Sequence, residues 1–261
     1  MIWVIGGTSE SIEFFKHIKS YGISKEIVAT VISEYSKELI KDIDSDIEVF
    51  VGRLDSNEME SFLLKKNIKK VIDLSHPYAK EVSKNAVNAA KKFEIEYFRF
   101  HRKSYDFNIN EITDSSICNS IEEITELVEK LDGNILVTLG GNCIEKFRDL
   151  KNLKNIYFRI LPDYNVIKKC FEIGVLPKNI IALQGPFSKE MNKVIIKDYN
   201  IEHLVTKNSG INGGEKEKIE ACLESQCKLI FLKRPDSENY GEIFFTLEGL
   251  VEKIMKYREI I

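Results

Sequence analysis

Apolar residues in this chain gather into short unbroken runs instead of alternating with polar ones. In the N-terminal part the runs are "IWVI" (2–5), "EIVATVI" (26–32), "IEVFV" (47–51), "KKVIDLS" (69–75) and "EYFRF" (96–100). Between them the period changes. "ESIEFFKHIKSYG" sets Ile12, Phe15 and Ile18 on one stripe and stops at Gly22, the pattern of an amphipathic helix with a glycine end. "YAKEVSKNAVNAAKKF" places Val82, Ala86, Ala89 and Ala90 on one face and lysines on the other. Strands apolar along their whole length, separated by helices, predict a parallel sheet covered on both faces.

The rhythm then pauses. Residues 103–117, "KSYDFNINEITDSSI", are polar and non-periodic and read as a connector. A helical "SIEEITELVEKL" follows, and the alternation restarts with "NILVTLGGN", "NIYFRILP", "NIIALQGPF", "EHLVTKNSG" and "KLIFLKRP". The expected architecture is α/β, with two Rossmann-like halves, each on a parallel sheet, and a cleft between them. The expected divisions are 1–102, a connector and linking helix over 103–132, and 133–261. Ligands of open parallel sheets sit beyond the carboxyl ends of the strands, and the unusual residues cluster there.

Composition narrows the function. A net charge of −3 over 261 residues argues against broad nucleic-acid binding, which needs a concentrated basic surface. No apolar run reaches membrane-spanning length, and Met1 leads directly into a strand, so neither a signal peptide nor an anchor is expected. The five cysteines form no C-x-x-C pair and have no histidine at zinc spacing. They predict reduced thiols in a cytoplasmic protein without a metal site of its own.

"GGTSE" follows the first strand and opens a helix. It lacks the G-x-G-x-x-G fingerprint and the Walker lysine, since Ser9 and Ser11 stand where later glycines are expected. Backbone N–H groups and two hydroxyls at a helix N-terminus favour an anion, a phosphate or a carboxylate. The same residues also suit a plain turn in which Thr8 or Ser9 caps the helix. "DLSHPYA" ends the fourth strand, with Pro77 suited to a first helical turn. His76 reads as a hydrogen-bonded structural histidine before it reads as a catalyst, and Asp73 as a capping or pairing residue. No nucleophile elbow makes Ser75-His76 a hydrolase pair. The second half adds Thr138, Gly140, Gly141 and Asn142; then Gln184, Gly185 and Pro186; then Thr206, Lys207, Ser209 and Gly210.

Taken in order, "GGTSE", "DLSHPYA", "YFRFHR", "VTLGGN", "RILP", "LQGPFS", "VTKNSG" and "KRP" resemble the precorrin-6A reductases, including the cobalt-precorrin-6A reductases of the anaerobic route to vitamin B12. The resemblance runs from Gly6 to Pro235. The chain departs from the pattern at Lys103, where the family has proline, and at Gly141, where it has a basic residue. The resemblance implies NADPH-dependent reduction of one carbon–carbon double bond in a corrinoid macrocycle, any cobalt being held by the ring nitrogens. It implies a tetrapyrrole carrying carboxylates, met by Gly6, Gly7, Thr8, Ser9, Ser75, His76, Pro77, Tyr78, Lys207, Ser209 and Gly210. His76 is the candidate nearest to a catalytic role, with positioning favoured. NADPH falls to Thr138, Gly140, Gly141, Asn142, Arg159, Gln184, Gly185 and Pro186, with Arg159 where a 2′-phosphate partner is expected. The competing readings are another NAD(P)-linked reductase and a non-catalytic two-domain module for an anionic ligand.

Overall fold

A computed structural model describes residues 1–102, 115–210, 213–234 and 241–256. The chain divides into two compact units, Met1–Arg102 with Asp236–Ile261, and Lys103–Pro235.

The first unit begins with β1 (Ile2–Ile5), α1 (Ser9–Lys19), β2 (Ile27–Val31), α2 (Glu34–Ile43), β3 (Glu48–Val51), α3 (Ser56–Lys65), β4 (Lys70–Asp73), α4 (Lys80–Lys92) and β5 (Glu96–Phe100). The second unit follows with β6 (Ser116–Cys118), α5 (Ile121–Val128), β7 (Asn134–Val137), a 3-10 turn (Gly141–Phe147), β8 (Ile156–Ile160), α6 (Tyr164–Glu172), β9 (Ile180–Ala182), α7 (Lys189–Asp198), β10 (Ile201–Lys207), α8 (Glu215–Glu224) and β11 (Lys228–Leu232). The chain then returns to the first unit with β12 (Glu242–Phe244) and α9 (Leu247–Lys256).

Both sheets are parallel and six-stranded, in the orders β12-β5-β4-β1-β2-β3 and β6-β11-β10-β7-β8-β9. Five strands of each sheet follow the doubly wound order 3-2-1-4-5. The sixth comes from elsewhere in sequence: β12 pairs with β5, and β6 pairs with β11. The expected assignment of 133–261 to one C-terminal domain is corrected here. Leu247, Leu250, Val251 and Ile254 of α9 join Phe14, Phe15 and Ile18 of α1 in one buried cluster. Apolar burial therefore draws the C-terminal segment to the first sheet, although it follows the second in sequence. The expected connector over 103–132 also changes, because β6 and α5 belong to the second unit; residues 103–114 lie outside the described residues.

Two faces of the first sheet are covered separately. Residues of α1, α2 and α9 pack in one cluster, and those of α3 and α4 in another. The helices after β1 and β4 thus leave toward opposite faces, which makes the gap between those neighbouring strands the switch point. In the second sheet α8, following β10, packs with α7. The turn after β7 packs with α5 and α6.

Candidate active site

At the first switch point the loop after β1 meets the loop after β4. Thr8 is the N-cap of α1: its Oγ1 accepts the Ser11 N–H at 3.2 Å and donates to the Leu74 carbonyl at 2.8 Å. Ser11 Oγ accepts from the N–H groups of both Gly7 and Thr8 at 3.1 Å, and Gly6 N–H donates to Thr30 O. The cap therefore takes the N–H groups of Gly7 and Thr8, and the neighbouring strand β2 takes that of Gly6. What the turn presents outward is the exposed Ser9, whose Oγ donates to Glu10 Oε2 at 3.1 Å. Arg102 Nη2 donates to the same carboxylate oxygen at 2.6 Å, which places a cation beside the first turn of α1. Gly7 has φ +96°, and a Cβ there would meet nothing within 4 Å. Its backbone demands glycine while the space beside it is open.

The loop after β4 is fixed from below by a buried network. Asp73 and Arg99 are partners in the β4–β5 register and form an ion pair sealed from solvent. Asp73 Oδ2 also accepts Ser83 Oγ–H at 2.6 Å and Tyr97 O–H at 2.5 Å, and Oδ1 accepts Ser75 N–H at 2.8 Å. Arg99 donates onward to Ser75 Oγ at 2.8 Å and to the Ser75 carbonyl at 3.1 Å. Burial alone raises the Asp73 carboxyl; the Arg99 guanidinium and the three donors outweigh it and hold the group below its ordinary value. Burial, and then the Asp73 charge, push Tyr97 well above its own. Ser75 is thereby built into the support. His76, Pro77 and Tyr78, which follow, are half-buried. The Ala79 N–H closes a turn on the His76 carbonyl at 2.8 Å, so Pro77 sits in that turn ahead of α4, not in the helix's first turn. Tyr78 N–H donates to His76 Nδ1 at 3.3 Å, and the two rings lie 5.7 Å apart.

At the second switch point, Thr138 donates through both N–H and Oγ1 to the Val205 carbonyl, tying β7 to β10. Gly140 has φ +91°, and the atom nearest to a Cβ built there is Lys207 Nζ at 4.0 Å. Gly141 is glycine for another reason: a Cβ would meet Val166 of α6 at 2.7 Å. Asn142 is exposed. The loop after β10 is closed on itself, with Ser209 Oγ donating to Gly213 O at 3.3 Å and Gly210 N–H donating to Glu215 Oε2 at 2.6 Å. Lys207, Ser209 and Gly210 therefore share a sheet edge with the Gly140 turn. Gln184, Gly185 and Pro186 are exposed after β9, joined by a cis Gly185–Pro186 peptide. Pro186 Cβ lies 3.4 Å from the Cβ position of Gly214, at the start of α8.

Arg159 is buried. Its Nη1 donates to Asn192 Oδ1 at 2.7 Å, and its guanidinium lies 4.5 Å from the centre of the Phe187 ring. Burial brings it down to about 10. Sequence reasoning missed Lys218, buried in the first turn of α8, and the support role of Arg99. A usable signal for the latter was one charge of each sign inside successive apolar runs, Asp73 in "KKVIDLS" and Arg99 in "EYFRF", which the β4–β5 register pairs. Lys218 carried none, lying among the charged residues of "GEKEKIEA" that look like a solvated helix face.

Among the described residues no cluster of three His, Cys, Asp or Glu side chains could hold a metal ion, and no helix is long and apolar enough to cross a membrane. The five cysteines are free thiols, all buried.

Comparison with known proteins shows the family and the fold. A cobalt-precorrin-6A reductase of Priestia megaterium is 33% identical over 259 residues, covering 98% of each chain. One of Methanocaldococcus jannaschii is 32% identical over 252 residues, covering 96% of each. Among solved structures, a CobK precorrin-6A reductase superposes with a TM-score of 0.76 at 19% identity, over 98% of this chain and 96% of that one, and shares its fold. The model of the precorrin-6x reductase CbiJ/CobK family matches residues 1–254, so the chain belongs to that family of oxidoreductases.

Proposed function

We propose that the protein reduces one carbon–carbon double bond of precorrin-6A or its cobalt form, with NADPH as hydride source, as a cytoplasmic step of cobalamin biosynthesis. The observation that carries the reading is the pairing of motif loops: each sheet brings two of them to its own switch point. The chemistry of the two edges differs. The first offers hydroxyls, a helix N-terminus and Arg102, suited to the carboxylates fringing a tetrapyrrole. The second offers an open glycine turn bordered by Lys207, with Arg159 and Lys218 buried behind it, suited to the phosphates of a dinucleotide.

NADPH fits the second edge by that donor set. Thr138, Gly140, Gly141 and Asn142 shape the turn that receives it; Arg159, Gln184, Gly185 and Pro186 border the nucleotide. Gly6 to Ser9 and Ser75 to Tyr78 bind the tetrapyrrole, Ser9 by direct contact and the two glycines by setting the turn. Lys207, Ser209 and Gly210, expected from the resemblance to meet the tetrapyrrole, lie on the second unit's own edge, with Lys207 beside the Gly140 turn. Bound NADPH supplies the hydride, and a proton completes the reduction. Holding donor and acceptor carbons in line is the protein's share of such chemistry.

The test is reduction by the purified protein. Cobalt-precorrin-6A or precorrin-6A is mixed with NADPH without oxygen, and nicotinamide absorbance is followed beside product mass. Loss of NADPH matched by a gain of two hydrogens in the macrocycle is the expected result. Binding of either ligand without any oxidation of NADPH would instead support a binding module.

A further inference from the structure

Arg159 on β8 and Lys218 on α8 are each only 7% exposed. Among the described residues neither forms an ion pair; Arg159 rests on the neutral carboxamide of Asn192 and the Phe187 ring. The start of α8 packs on the segment that holds Arg159: a Cβ at Gly214 would lie 3.8 Å from the Phe187 N and 3.4 Å from Pro186 Cβ, so Lys218 in the first turn shares the field of Arg159 and of the Lys207 ammonium on β10. On α8 itself, Glu215 and Glu217 act in the opposite sense, and Glu215 Oε2 already accepts the Gly210 N–H. Among the described residues three cations thus meet two carboxylates, whose Glu215 Oε1 and Glu217 Oε2 are buried without accepting a hydrogen bond there. Alongside Lys207 in β10, the wholly buried Thr206 Oγ1 has no hydrogen-bond partner among the described residues. Burying an uncompensated cation is costly, and burying two together more so. Packing gains nothing from either charge, whereas an anionic ligand gains from both.

We infer that Arg159 and Lys218 form one buried phosphate site, bordered by Lys207 and the first turn of α8. The inference rests on the reading that the second unit takes a phosphorylated dinucleotide. The group held is a phosphate, either the 2′-phosphate or the diphosphate bridge. Burial first, and then the Arg159 and Lys207 charges, bring the Lys218 ammonium down to about 7. A phosphate arriving there draws a proton onto the amine, so binding at that site weakens as pH rises through that value.

The full chain is titrated calorimetrically with adenosine 2′,5′-bisphosphate, with inorganic pyrophosphate and with NADPH, on either side of the Lys218 value of about 7. Lys218→Met should bind one of the first two probes about tenfold more weakly or worse below that value. The weakened probe identifies the phosphate. Lys218→Arg should keep the affinity and lose the pH step seen in wild type, a comparison that cancels the probe's own titration. Unchanged affinity of Lys218→Met for both probes overturns the inference. Should Lys218→Met not fold, Lys218→Arg decides alone: a persisting pH step overturns the site, and a lost one supports it. If wild type and both variants bind NADPH alike, this site fails and the cofactor reading stands. If wild type binds no NADPH while pyrophosphate binding still needs Lys218, the cofactor reading fails and the anion site stands.

Discussion

Asp73 and Arg99 face each other across β4 and β5, and the Arg99 guanidinium continues to the hydroxyl and carbonyl of Ser75. Two charges buried in a sheet are thus converted into a fixed anchor for the loop that carries His76 and Tyr78. Removing one partner leaves the other charged in an apolar core. Asp73→Asn should therefore cost about 3–5 kcal/mol of folding stability at neutral pH. Because the folded-state value of Asp73 is lowered, its contribution is present above the unfolded carboxyl value of about 3.9 and fades as pH falls toward the folded one. Urea unfolding should accordingly show wild type losing more stability than Asp73→Asn on acidification below pH of about 4. Equal slopes for the two would remove Asp73 from the acid response.

The opening turn gives a second prediction. Gly7 adopts φ +96°, and its N–H is bound to Ser11 Oγ inside the cap. A Cβ meets open space, so the strain of substitution lies in the backbone and not in a collision. Gly7→Ala should destabilise the ligand-free protein by about 1–2 kcal/mol. NADPH affinity should stay near normal. Thermal melting with no ligand present checks this; an unchanged midpoint would mean that the turn relaxes at no cost.

Much of this arrangement is legible in the sequence, and the failures have physical causes. The central strands announce themselves because both faces of a parallel sheet are buried, and the edge strands β3 and β9, less buried, still keep apolar runs. β6 and β12 do not. Each has three residues, and only Cys118 among them is buried, which leaves no apolar run to read. The return of α9 to the first sheet is invisible locally, since its stripe of Leu247, Leu250, Val251 and Ile254 would fit any apolar face. At the site, sequence order marked the loops correctly as places where strands end. It could not separate the N–H groups taken by the cap from those left outward, because that depends on Ser11 turning its hydroxyl back. Nor could it tell Lys218 from the solvated lysines around it.

Cofactor choice supplies the third prediction. Arg159 is desolvated and bonded to a neutral amide, so its charge is available to an anion at close range. Arg159→Ala should weaken NADPH binding by about 1.5–3 kcal/mol, the range for a charged hydrogen bond. NADH should change little if the lost partner is the 2′-phosphate. Fluorescence titration with both nucleotides measures the difference. Equal losses would place Arg159 at a phosphate that the two cofactors share, or in packing against Phe187.

The last prediction concerns His76. The Tyr78 N–H points at His76 Nδ1, so that nitrogen carries a lone pair and any ring proton of the neutral form sits on Nε2. The ring is further fixed beside Tyr78, and its backbone carbonyl closes the turn at Ala79. Such a histidine is oriented by its own loop, and the loop by the Asp73–Arg99 anchor beneath it. A positioning role then predicts that His76→Ala raises KM more than it lowers kcat, since contacts made equally in ground and transition states are lost. A general acid would instead cost about 10²–10⁴-fold in kcat. His76→Asn separates the two, because its carboxamide can keep a hydrogen bond to the substrate but cannot deliver a proton at neutral pH. Partial recovery of KM by His76→Asn, with kcat near wild type and no change in the pH profile of kcat, is the expected outcome. A kcat collapse shared by both variants, with the acidic or basic limb of the profile removed, would make His76 the proton donor of the reduction.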